Sequence, residues 1–146
     1  MADTNQKTVD TLNEFLRGEI SAVETYRQAL EKLSGSPYRT QLEERHRSHQ
    51  LRVTKLHEQV RRAGGQPSQG SGAWGAFAKL VEGGAKVFGE AAAIAALEEG
   101  EDRGLKLYRG DLSNLDPASR QFVQTELLAP QEQTHRAMST LKKTIS

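Results

Sequence analysis

Leu12, Leu16, Val23, Tyr26, Leu30 and Leu33 recur three, four or seven positions apart, the period of one apolar face on an α-helix. The pattern predicts a first helix from about Thr8 to Leu33, with Thr8 or Asp10 as its cap and the turn residues of "SGSP" as its stop. A second helix follows from about Tyr38 to Ala63. Leu42, His46, His49, Val53, Leu56 and Val60 form its inner stripe, and "GGQPSQGSG" then breaks the period. A third periodic segment opens near Trp74. As one helix to Leu112 it would measure roughly 58 Å, against roughly 40 Å for the first, from the rise of an α-helix. A break at Gly83-Gly84 removes the mismatch. A short helical piece, Trp74 to Glu82, then joins the connection, with Trp74 anchoring it to the bundle, and helix 3 runs from Ala85 to Leu112. Its stripe is Val87, Ala91, Ile94, Glu98, Glu101, Leu105, Tyr108 and Leu112. Asp116 and Pro117 open a fourth helix that reaches about Thr144. A kink is expected at Pro130, which has no N–H for the Glu126 carbonyl.

The connections sort these helices. Short turns make helices 1 and 2, and helices 3 and 4, antiparallel hairpins. The link between helices 2 and 3, about residues 64–84, is long enough to run the length of a bundle at up to about 3.3 Å per extended residue. The expected fold is all-α: one domain over residues 1–146, a four-helix bundle of two hairpins joined by one long crossover.

Composition removes several functions. The 146 residues carry a net charge of +1 with 27% charged side chains of both signs interspersed, which is not the footprint of a nucleic-acid binder. There is no cysteine, so disulfides, iron–sulfur clusters and thiol catalysis are excluded. The N-terminal stretch has no apolar core of a signal peptide, and the longest apolar run, "AAAIAAL", is too short to span a bilayer. A cytoplasmic protein without a membrane partner is expected.

One residue violates the first stripe. Glu19 stands in "GEISAVETYRQAL" where a leucine belongs, and "GEDRGLKLYRGDL" repeats the arrangement: Gly18 matches Gly100, Glu19 matches Glu101, Tyr26-Arg27 matches Tyr108-Arg109, and Leu30 matches Leu112. Each glutamate precedes its tyrosine by two helical turns, so the two share a face. A duplicated hairpin would set Glu19 and Glu101 opposite each other across a pseudo-two-fold axis. Burying such carboxylates is costly unless they are paired, protonated or bound to metal. Two Glu-x-x-His spacings, Glu43 with His46 and Glu132 with His135, add the motif that bundles use for paired metal ions.

These segments, with the crossover "AGGQPSQGSGAWGAF", resemble ferritin-like four-helix-bundle proteins related to rubrerythrin. The chain is most similar to a bacterial group known as a domain of unknown function. The resemblance covers nearly the whole chain and implies a di-iron site and a homodimer. Register within each hairpin divides the motifs. Reflected through the turn near Leu115, Glu101 lies within about 3 Å of the level of Glu132, so Glu98, Glu101, Glu132 and His135 are expected to converge. Reflected through the turn near Gly35, Glu19 lies about 14 Å from Glu43 and about 9 Å from His46, but roughly 5 Å from His49. The expected metal ligands are therefore Glu19, His49, Glu98, Glu101, Glu132 and His135, holding two ions of iron or manganese.

Two functions compete. One is a carboxylate-bridged di-metal protein that oxidises ferrous iron or consumes oxygen or peroxide, drawing on an external electron donor because no cysteine relay exists. The other is a metal-free structural or stress-associated interaction bundle whose buried glutamates are neutralised by arginine and histidine. The small residues Gly83, Gly84, Gly89 and Ala91 to Ala96 offer a dimer contact or a seat for the crossover.

Overall fold

The computed structural model describes residues 2–72 and 89–145. The described residues form the all-α four-helix bundle that the periodicity predicts. The helices are α1 (Ala2–Lys32), α2 (Arg39–Arg62), α3 (Glu90–Asp111) and α4. α4 opens as Pro117–Val123, widens into a π-helical turn at Gln124–Leu128 and continues as Ala129–Ile145. A 3-10 turn, Leu112–Asn114, leads into it.

The boundaries follow local chemistry. Asp116 caps α4 as expected: its carboxylate accepts from the Ser119 N–H at 2.8 Å, with Pro117 in the first helical position. Thr8 is not a cap, because α1 starts upstream at Ala2. Its buried hydroxyl instead accepts from the Asp116 N–H at 2.9 Å, which ties the start of α4 to α1. α3 starts at Glu90 rather than Ala85, since Gly89 holds φ at +82°, outside the helical region. The expected piece Trp74 to Glu82 with its Trp74 anchor, the Gly83-Gly84 break and Val87 lie outside the described residues. In α4 the expected disturbance at Pro130 takes the form of the π turn just before it. Buried Ser119, Val123, Leu127 and Gln131 stand four apart through that turn, whereas Thr134, Met138 and Leu141 return to spacings of three and four.

Polar bonds and packing fix the topology. Tyr26 of α1 meets Glu101 of α3, and Glu19 meets Tyr108, so these two helices run antiparallel. α2 ends beside the start of α1, where Gly65 leaves no room for a Cβ against Val9. The chain then climbs α1. Asn13 clasps it by donating to the Gln66 carbonyl at 2.9 Å and accepting from the Ser68 N–H at 2.8 Å. Arg17 holds the Ser68 hydroxyl and Ser71 reaches Glu24. α3 begins at the opposite end, where Ala93 and Ile94 pack with Leu33 and Leu42. The described part of the connection thus climbs α1 from the level of Val9 to that of Glu24.

The core has two apolar blocks. One joins Ala29, Leu33, Leu42, Ile94, Leu97, Met138 and Leu141. The other joins Val9, Leu12, Phe15, Leu16, Leu56, Val60, Val123 and Leu127. Tyr26 belongs to the first block and Tyr108 to the second. Each sends its hydroxyl into a buried polar layer between them. No described helix is long and apolar enough to cross a membrane.

Candidate functional site

The polar layer contains one residue pair from each helix. α1 gives Glu19 and Tyr26, α3 gives Glu101 and Tyr108, α2 gives His49 and Arg52, and α4 gives Gln131 and Thr134. All eight are buried. Positions i and i+3, or i and i+7, share a helix face, so each pair points inward together.

His49 lies at the centre. Its Nδ1 donates to Glu19 Oε1 at 2.5 Å and its Nε2 to Glu101 Oε2 at 2.7 Å. Its ring stacks on Tyr26 with centroids 5.3 Å apart. The tyrosines cross over: Tyr26 donates to Glu101 and Tyr108 to Glu19, each at 2.5 Å. Arg52 donates from Nη1 to Glu19 at 3.3 Å and to the Gln131 carbonyl oxygen, and from Nη2 to Thr134 and Ser48, both at 3.0 Å. Gln131 passes its NH2 to the Glu101 main-chain carbonyl at 2.8 Å and to Oε1 at 3.0 Å, and Thr134 donates to the same Oε1 at 2.7 Å.

The protonation states follow from this geometry. An imidazole has one N–H when neutral, yet both His49 nitrogens face carboxylate oxygens that only accept. The ring is therefore an imidazolium. Burial alone would lower the His49 pKa; the Glu101 and Glu19 carboxylates outweigh it, with Arg52 opposing them, and the net shift is upward. Burial would raise Glu101, but the charge and hydrogen bond of His49, then Arg52 and Tyr26, bring it down to about 2. Glu19 also falls, with Arg52 and then His49 overcoming burial. Arg52 is raised, the charge of Glu19 outweighing burial. Burial and then the adjacent carboxylates push both tyrosines well above their ordinary value, so they stay protonated donors. Two anions and two cations balance.

The six expected ligands separate into two groups. Glu19, His49 and Glu101 meet in the layer. Glu98, Glu132 and His135 do not, which corrects that half of the expectation. Glu98 turns toward Lys142 at 4.0 Å, Glu132 takes the Arg109 guanidinium at 2.9 Å, and His135 faces Asp102 at 3.5 Å. The inward pair of α4 is Gln131 and Thr134, one residue earlier; a step of one residue rotates a side chain about 100° around the helix. Glu43, similarly, is on the surface beside Arg39. A two-metal centre does not fit this donor set. Glu101 already receives four donors on its two oxygens, which fills a carboxylate's acceptor sites, and Glu19 receives three. The imidazolium of His49 has no lone pair for a cation. Among the described residues, no group of three or more His, Cys, Asp or Glu side chains is set to hold a metal ion.

Arg52, Gln131 and Thr134 escaped the sequence reading, although a signal was present. Glu19 and Glu101, Tyr26 and Tyr108, His49 and Gln131, and Arg52 and Thr134 all stand 82 positions apart. Carrying the repeat past its obvious match into α2 and α4 would have paired them.

Two cavities of about 20 Å³ flank His49 along the α1–α3 seam. One is lined by Tyr26 and Glu101, the other by Glu19 and Tyr108, and Gly18, Ala22 and Gly100 border both. Each has room for about one water, far short of a substrate.

Fold and site together define a four-helix bundle with a buried, internally neutralised ionic layer. Residues 7–113 match the model of a domain of unknown function, DUF2383, and the chain belongs to that family. The matched span holds Glu19, Tyr26, His49, Arg52, Glu101 and Tyr108. No curated protein and no solved structure matches the chain.

Proposed function

We propose that this chain is a metal-free interaction bundle, in which the ionic layer sets the pairing and register of the helices and the outer helical faces meet other proteins. The observation that carries this reading is the imidazolium of His49 held at 2.5 and 2.7 Å between Glu19 and Glu101, with Arg52 on the outer oxygen of Glu19. The positive charge that two buried carboxylates require is supplied by side chains. The flanking cavities, each about the size of one water, argue against turnover of an organic substrate in the layer. A homodimer belongs to this reading. Ala93 and Ile94 of the small-residue stretch are spent in the core, so self-association would use the outward positions of the helices.

Metal analysis tests the proposal against the di-metal alternative. Protein purified from cells supplied with iron and manganese is expected to carry far less than one metal per chain, with a thermal midpoint unchanged by chelator. Two metals per chain, together with a midpoint that falls on chelation, would overturn it.

A further inference from the structure

The two hairpins contribute unequal charge to a layer whose geometry is nearly symmetric. From α1–α2 come one anion, Glu19, and two cations, His49 and Arg52. From α3–α4 come one anion, Glu101, and the neutral pair Gln131 and Thr134. The pairs 19/101, 26/108, 49/131 and 52/134 all obey the same offset of 82, and every member is buried. We infer that positions 49, 52, 131 and 134 are a charge code that makes each hairpin the partner of the other and not of a second copy of itself.

The arithmetic of the layer carries the inference. A layer built from two α1–α2 hairpins would hold two carboxylates, two imidazolium groups and two guanidinium groups, a net charge of +2. A layer built from two α3–α4 hairpins would hold two carboxylates and no cation, a net charge of −2. Only the mixed pair is neutral. Uncompensated charge in a buried layer is strongly unfavourable because water cannot reach it. The crossed tyrosines do not discriminate, since each hairpin supplies one tyrosine and one glutamate in the same places. Discrimination falls on α2 and α4 alone. The partner this surface fits is therefore the complementary hairpin, from the same chain or from a second copy that exchanges hairpins, while like-with-like association is refused. This assignment rests on the metal-free reading, because a divalent cation would balance the −2 layer without any cationic side chain.

The test uses the full-length chain. H49Q/R52T imposes the α3–α4 pattern on both halves, Q131H/T134R imposes the α1–α2 pattern on both, and the fourfold exchange H49Q/R52T/Q131H/T134R moves the cations across the pseudo-two-fold axis while keeping the layer neutral. Each two-site variant is expected to lose at least about 10 °C in thermal midpoint at pH 7, the scale of stranding a buried charge. The first recovers as pH is lowered toward 5 and the second does not. The fourfold exchange is expected to regain more than half of the loss. If either two-site variant fails to fold, folding of the fourfold exchange decides by itself. A fourfold exchange no more stable than the worse two-site variant, or an H49Q/R52T chain as stable as the parent, would overturn the code. Metal content of the unmodified chain is read separately: two metals per chain would sink the metal-free reading, whereas a metal-free parent with an unrescued exchange would sink the code alone.

Discussion

The two hairpins set the same glutamate and the same tyrosine into the layer and then part company. In α1–α2 the second helix supplies His49 and Arg52; in α3–α4 the matching places hold Gln131 and Thr134. Both second helices give inward side chains at i and i+3, and both pairs donate to carboxylates. The difference is charge, and it explains why the buried acid is tolerated. One half provides an anion that it more than neutralises, and the other provides an anion that it solvates but leaves charged. The repeat supplies the geometry; the difference between α2 and α4 supplies neutrality.

The sharpest way to break the comparison is to remove a cation from one half and a neutral group from the same place in the other. Arg52→Leu leaves Glu19 without its guanidinium and is expected to cost about 3–5 kcal/mol. Thr134→Val, its counterpart, removes one donor to Glu101 and should cost about 1–3 kcal/mol. Urea denaturation at pH 7 reads both, and equal losses would mean that charge is not what separates the halves. The tyrosines sharpen the likeness instead. Tyr26→Phe and Tyr108→Phe each take one hydrogen bond from a carboxylate and should cost about 1.5–3 kcal/mol apiece, equal within error. A clear inequality in that urea series would show that the crossed pairs are not equivalent. Smallest is the packing difference. Gly104 lies where an added Cβ would stand 2.9 Å from Gln131 Nε2, and Gly104→Ala is expected to cost about 1 kcal/mol by displacing that amide. A neutral or stabilising result would show that Gln131 is free to move.

The layer also gives stability a pH profile. Glu101 is lowered from 4.5 to about 2, so its contribution is present above 4.5 and is lost as pH falls toward 2. His49 is raised from 6.5, so its contribution is present below 6.5 and is lost as pH rises past its folded value. Stability should therefore be greatest between these limits, and His49→Gln should abolish the alkaline decline and shrink the acid one, because His49 is the main cause of the low Glu101 value. Chemical denaturation across pH reads both limbs; an alkaline limb that survives His49→Gln would assign it to another group.

The fold was open to reading because its signals are local and redundant. The stripes of α1 and α2, the "SGSP" stop, the Asp116–Pro117 start and the long link each point to the same bundle. The inward glutamates were also legible, because an acid in a leucine position, repeated with its glycine and tyrosine, is a conspicuous break in period. What the layer does was not. A carboxylate held by a metal and one held by arginine leave the same mark on its own helix. Arg52, Gln131 and Thr134 are residue types that a helix ordinarily turns toward water, so nothing local flagged them. Glu132 and His135 carried the more familiar spacing yet sit about 100° around the helix from the inward pair. Only the offset of 82, followed into the weaker half of each repeat, identifies the true set.

On the proposed reading, a protonated His49 stands where a metal ion would otherwise be needed. Nitrogen-15 spectra of the histidine side chains in the folded chain at neutral pH test it most directly. Both His49 ring nitrogens are expected to carry protons, and added manganous ion is expected to leave their signals unbroadened. A ring with one bare nitrogen, broadened by about one equivalent of manganous ion, would contradict it.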